Sequence, residues 1–180
     1  MAAGTGGMLT RIGNFVLFQI GWFACVLSAA ADQQWIGLLI GLTVLLVHGW
    51  HAADHGATIR FVLTIGLFGV VIDSALGCVG VLVFRDGLIA AWLCPPWLAM
   101  LWLIFSTTLR SSLAWLVDRT ASAALLGSIF GPLSYYGGHA LGALQLGGQH
   151  TTSLLVLGIV WALLLPCFVQ LGHRCDLAPQ

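Results

Sequence analysis

Charge is nearly absent from this chain, and where it occurs it falls at intervals matching the thickness of a bilayer. Residues 12–31, between Arg11 and Asp32, contain no Asp, Glu, Lys or Arg, and residues 61–84, between Arg60 and Arg85, contain a single one, Asp73. The stretch 120–173 contains none. A hydrocarbon core needs ~20 consecutive apolar residues per helical crossing, so each window is long enough to span. Charged residues make up 7% of the 180 and hydrophobic ones 59%, whereas a soluble domain carries roughly a quarter charged. The few charges are all Arg and Asp and they balance to zero. That balance excludes a basic nucleic-acid binder, an acidic tail and a disordered segment. The fold class is therefore all-α, a polytopic membrane helix bundle in one domain.

Six crossings are expected, at about 12–31, 35–51, 61–84, 96–117, 121–143 and 151–171. The fourth begins at Pro96 because a proline costs nothing in the first turn, where its missing N–H has no partner anyway. The stretch 87–94 is too short to span and reads as interfacial or re-entrant, with Trp92 and Trp97 at headgroup level. Six crossings place both termini on one side. With that side cytoplasmic, Arg11, Arg60, Arg119 and Arg174 lie inside and only Arg85 outside, in accord with the positive-inside rule. The competing reading of the first run is a cleaved signal peptide ending at Ala29-Ala30-Ala31, but the run exceeds an ordinary h-region of ~7–15 residues. The five cysteines, Cys25, Cys78, Cys94, Cys167 and Cys175, show no CxxC spacing and form no disulfide or zinc framework.

In lipid, helices associate through close packing at small residues. In the third crossing Gly66, Gly69, Asp73, Gly77 and Gly80 form one stripe at helical spacing. Asp73 lies about 18 Å along the helix from Phe61, deep in the apolar layer, where an acidic side chain facing lipid is costly. The stripe offers it cover against a neighbouring helix. Arg110, in the fourth crossing on a face with Ser106, Thr107 and Ala114, is a candidate partner whose long stem reaches toward Asp73 or snorkels to the headgroups. The alternatives are an ion pair fixing helix register, a protonated Asp73 bonded to a hydroxyl, and a proton or substrate site.

The second crossing carries Gly37, Gly41, Val44, His48, His51 and His55 on one face. His48/His51 or His51/His55 have spacing that suits one metal ion, with Asp54 nearby. No H-E-x-x-H or histidine-box pattern supplies further ligands, so the histidines are read as binding headgroups or packing at the cytoplasmic mouth, and no metal or cofactor is expected. The fifth crossing repeats the small-residue theme with Gly127, Gly131, Ser134, Gly138 and Gly142. Pro132 there deprives the Ser128 carbonyl of its helical partner, and Tyr135, Tyr136 and His139 follow, lining a small cavity or belonging to the aromatic belt. Pro166 bends the sixth crossing. Asn14 and Gln19 are the polar residues of the first, suited to interhelical hydrogen bonds of about 1 kcal/mol or less each. No nucleophile elbow, P-loop, GxGxxG or inverted repeat is present.

The run from Asn14 through Leu27 resembles the opening of an uncharacterised bacterial inner-membrane family, domain of unknown function 2878. So do Asp73 in its glycine-rich helix, Pro96-Trp97-Leu98 with Leu101-Trp102, Thr107-Thr108-Leu109 with Ser112-Leu113-Ala114-Trp115, and Gly131 through Tyr135. The likeness covers nearly the whole chain, although the family's pattern has Asn where this chain has Arg110. The resemblance implies a setting in membrane-lipid modification or envelope stress, with membrane lipids and other inner-membrane proteins as partners. Three functions fit. One is a non-enzymatic accessory protein holding a lipid-like molecule between glycine-faced helices, with Asp73, Asn14 and Gln19 as polar contacts. The second is a small proton-coupled transporter or flippase using Asp73, and the third an intramembrane lipid enzyme using His48, His51 and His55.

Overall fold

The computed structural model describes residues 3–52, 54–84 and 92–177, with side chains from residue 10 to residue 174. Six helices follow in chain order: α1 (Ala3–Ala30), α2 (Gln34–Trp50), α3 (His55–Cys78), α4 (Pro96–Leu109), α5 (Thr120–Ala140) and α6 (His150–Leu177). A 3-10 turn at Ala114–Leu116 joins α4 to α5, and two short strands, β1 (Leu82–Val83) and β2 (Gln145–Leu146), pair antiparallel. Three segments are long and apolar enough to cross a membrane: Thr10–Ala30, His55–Cys78 and His150–Arg174. The helices α2 and α4 are apolar but shorter, at 17 and 14 residues.

Helices α1, α3 and α5 stop in the same way. In each, the second residue past the helix takes a positive φ: Asp32 at 57°, Gly80 at 73° and Gly142 at 87°. The amide after it turns back to a carbonyl in the last turn, giving Gln33 N–H to Ser28, Val81 to Leu76 and Ala143 to Gly138. This is the Schellman closure, which satisfies carbonyls that a helix end otherwise leaves bare. It corrects the third crossing, expected to reach residue 84. The helix ends at Cys78, and residues 82–83 form β1 instead.

The fourth crossing is corrected too. It was expected to run unbroken to 117, but α4 ends at Leu109. Ser106, Thr107 and Thr108 each donate back to the carbonyl three residues earlier, at 2.6, 2.8 and 2.7 Å. Such back-bonding competes with the helical ladder, and the amides of Ser111 and Leu113 both fold onto the Thr108 carbonyl. His55 is likewise displaced from the expected histidine face. Asp54 accepts a hydrogen bond from the Ala57 amide at 2.9 Å and caps α3, so His55 begins the next helix. The proposed re-entrant stretch 87–94 and Arg85 fall largely outside the described residues.

Packing follows the glycines. On α2, Gly37 meets the Cys25 backbone of α1, and Gly41 lies against Met100. On α3, Gly66 meets Leu103 and Gly69 meets the Trp102 ring, so α3 lies flush on α4. Gly127 and Gly131 of α5 admit Trp161 of α6, and Gly158 of α6 comes close to the Ser128 carbonyl released by Pro132. Helix α4 sits centrally, packed by α1, α2 and α3, while α5 and α6 form a hairpin of their own. The surface inverts the pattern of a soluble protein. Leu67, Ile159 and Leu163 are each 66% exposed, whereas Asp73 has no exposure at all. A continuous apolar exterior of this kind is suited to acyl chains rather than water.

Candidate functional site

Asp73 is covered as its glycine stripe leads one to expect, but its partners are aromatic. The Trp102 indole N–H donates to Oδ2 at 2.6 Å and the Tyr135 hydroxyl donates to Oδ1 at 2.6 Å. These two bonds join α3 to α4 and α3 to α5. Gly69, one turn before Asp73, removes the Cβ that would collide with the Trp102 ring and so lets the indole reach the carboxyl. Trp102 stacks on Trp161 with centroids 5.1 Å apart and planes 7° from parallel. Phe105 and Phe168 meet it edge-on at 5.9 and 6.0 Å.

The expected Asp73–Arg110 pair is replaced by this arrangement. Arg110 caps α4 eight residues beyond Trp102, about 12 Å along the helix axis. Its guanidinium lies over the Phe61 ring, 5.5 Å from the centroid, and its stem packs against Gly172.

Trp102, Tyr135 and Trp161 floor a groove of about 470 Å³ between α1 and α5, within the span of ~300–1,000 Å³ usual for ligand sites. Its rim is open: Phe15, Phe23, Phe130 and Leu133 are all half-exposed. Near one end Trp22 of α1 crosses to α5, its indole donating to the Ser134 hydroxyl at 2.9 Å. The lining is aromatic and aliphatic, with Gln19 and Ser134 its polar side chains apart from the Tyr, Trp rings. Ser134 is occupied by Trp22. The Gln19 amide makes no hydrogen bond to another described residue.

The polar residues singled out from the sequence thus separate into three places. Asp73 is behind the groove, screened by the rings of its own donors. Asn14 is spent on structure: its amide donates to the Thr107 hydroxyl at 3.2 Å and its carbonyl accepts from Ser112 at 3.0 Å, tying α1 to the broken end of α4. Gln19 alone of the four faces the groove. The histidines do not converge. His51 Nδ1 is 2.8 Å from the Val47 carbonyl of its own helix, and His55 belongs to α3. Among the described residues no group of three His, Cys, Asp or Glu side chains is placed to hold a metal ion.

Tyr135 parts from its neighbours as well. It is buried against Asp73, while Tyr136 is exposed and lies beside His139 with centroids 6.3 Å apart. His139 meets His150 at 4.7 Å, and its buried Nδ1 has no hydrogen-bond partner among the described residues. Sequence reasoning missed Trp102 and Trp22 as donors. The available signal was their position on the faces opposite Asp73 and Ser134, which requires knowing which helices touch.

No curated protein and no solved structure matches the chain. A family model described as "Protein of unknown function (DUF2878)" matches residues 11–167, most of the chain, including all four polar residues and the whole groove. The glycine-faced helices, the buried Asp73 and the aromatic floor above it all lie within a domain of that family, to which this chain belongs.

Proposed function

We propose that the protein holds a lipid-like molecule in the groove between α1 and α5, as a non-enzymatic accessory protein of the bacterial inner membrane. The observation that carries this reading is the groove itself. It is open along its rim to the apolar exterior, floored by stacked rings, and carries one amide, that of Gln19, with no hydrogen-bond partner among the described residues. An apolar site with a few polar groups that fix orientation is the usual form of a small-molecule site. Six crossings with both termini cytoplasmic complete the reading. It is supported by Arg11, Arg60, Arg119 and Arg174, which lie toward the helix ends belonging to that side. Work alongside lipid-modifying or envelope-stress proteins is the setting this implies.

Asp73 serves here as a positioning residue. Through Trp102 and Tyr135 it sets the floor of the groove and touches nothing bound there. The transport reading, which needs that carboxyl in contact with cargo or water, has less support for the same reason.

The test is native mass spectrometry of the protein purified in mild detergent. Wild type retains a bound lipid-like adduct. Gln19→Trp, which sacrifices no hydrogen bond and fills the groove, loses it at unchanged expression. Wild-type protein carrying no adduct after gentle extraction overturns the proposal.

A further inference from the structure

One mouth of the groove has arginines beside it. Helices α1 and α5 both run away from the end where α4 breaks, because Asn14, in the first half of α1, bonds Thr107 and Ser112 and α5 follows soon after the 3-10 turn. The groove residues nearest that end are Phe15, Leu113 and Leu126. Arg11 precedes Phe15 by four residues and Phe18 by seven, so it continues the groove-facing stripe of α1 by one turn. Arg119, at the N-cap of α5, precedes Leu126 by two turns.

Both guanidinium groups are exposed. Arg119 lies over the Trp115 ring, 5.4 Å from its centroid, and neither arginine is in an ion pair with a described residue. Asp118 is exposed next to Arg119 in the chain and is the acidic residue of this mouth; it forms no ion pair with Arg119. Among the described residues, no charged side chain lines the groove itself.

We infer that the groove's occupant is an anionic membrane lipid, with its phosphate-bearing headgroup at Arg11 and Arg119 and one acyl chain lying along the aromatic floor past Gln19. This rests on the reading of the groove as a lipid site and adds headgroup class and orientation to it. The chemistry is complementary at each level. A guanidinium presents a fork of N–H donors that matches phosphate oxygens. The chain meets an uncharged lining, and the lipid enters sideways through the open rim without leaving the bilayer. A zwitterionic lipid places its own cation beside the two arginines and loses that advantage.

The experiment equilibrates the full chain in mixed micelles holding equal amounts of phosphatidylglycerol and phosphatidylcholine with identical acyl chains. Retained lipid is then counted by native mass spectrometry. Wild type is expected to retain one lipid and to favour phosphatidylglycerol, with each arginine contributing about a fivefold factor. Arg11→Gln with Arg119→Gln still retains one lipid but no longer discriminates. Arg60→Gln, which removes a charge from the start of α3 away from the groove, keeps the preference. Equal retention of the two lipids by wild type overturns the headgroup assignment, and so does a preference surviving in the double variant. In either case loss of all retained lipid in Gln19→Trp leaves the groove reading intact. Retention unaffected by Gln19→Trp overturns both.

Discussion

A carboxyl group with aromatic donors in place of a cation is an economical way to bury an acid. Asp73 receives one N–H and one O–H, each at 2.6 Å, and no guanidinium has to be taken out of water with it. Removing the acceptor is then the damaging change. Asp73→Ala strands the Trp102 indole and the Tyr135 hydroxyl, at about 1–3 kcal/mol for each orphaned donor. Asp73→Asn keeps one oxygen as an acceptor and costs less. Thermal unfolding in detergent should rank wild type above Asn and Asn above Ala; three equal midpoints would discard this account.

Asp54 behaves differently because it lies outside the bundle's apolar layer. The Ala57 amide holds its carboxyl below the ordinary value of 3.8, with further lowering from the Gly56 amide, Arg60 and His55. A depressed acid stabilises the fold above its unfolded pKa and loses that contribution as pH falls through the folded one. Acid titration below about pH 4 should therefore weaken α3 in wild type more than in Asp54→Asn, which keeps a capping oxygen without the charge. Amide exchange at residues 55–58 reads the difference. At this scale the sequence disclosed that Asp73 needed cover, since glycines flank it at helical spacing. It did not disclose Trp102 or Tyr135, which lie 29 and 62 residues away. Arg110 attracted attention by its charge, although about two turns of α4 separate it from Trp102, the residue that reaches the carboxyl.

Helices meet here where a side chain is missing, and the glycines differ sharply in what they leave room for. A Cβ on Gly69 would enter the Trp102 ring and one on Gly131 the Trp161 ring, whereas Gly13 has nothing within 4 Å. Gly69→Leu and Gly131→Leu should each destabilise by about 1–3 kcal/mol or more, as overpacked cores do. Gly13→Ala should be neutral or stabilising by roughly 0.5–1 kcal/mol, because alanine suits a helix interior better. Unfolding midpoints of the three variants decide it, and a Gly13→Ala loss as large as the other two would argue against the packing described.

The order of the helices was readable from windows between charges, and their contact faces from the glycine stripes. Their ends were less so. The break after Leu109 depends on three hydroxyls turning back on their own helix, which an apolar window does not register. The β1–β2 pairing joins residues 82–83 to 145–146, and two-residue strands leave no periodicity to detect.

Viewed whole, the α5–α6 hairpin is a separate unit fastened to the α1–α4 body at a few points. They are the Trp22–Ser134 and Tyr135–Asp73 hydrogen bonds, the two-residue ribbon, and α6 packing on α3, α4 and the 3-10 turn. The groove exists because α1 and α5 stand apart elsewhere. Losing both side-chain bonds in Trp22→Phe with Tyr135→Phe, at about 0.6 kcal/mol per bond in a membrane protein, should raise the population of a detached hairpin roughly sevenfold. Tryptic cleavage after Arg119 would accelerate by that factor, and an unchanged rate would mean that the other contacts suffice.

The distance in sequence between Asp73 and its donors also sets a timetable for synthesis. Residue 73 leaves the ribosome well before Trp102 and longer still before Tyr135, so the nascent chain carries an acid first unmatched, then half matched. Only insertion of the last hairpin completes the set. Chains released early therefore display an incompletely bonded acid among apolar helices.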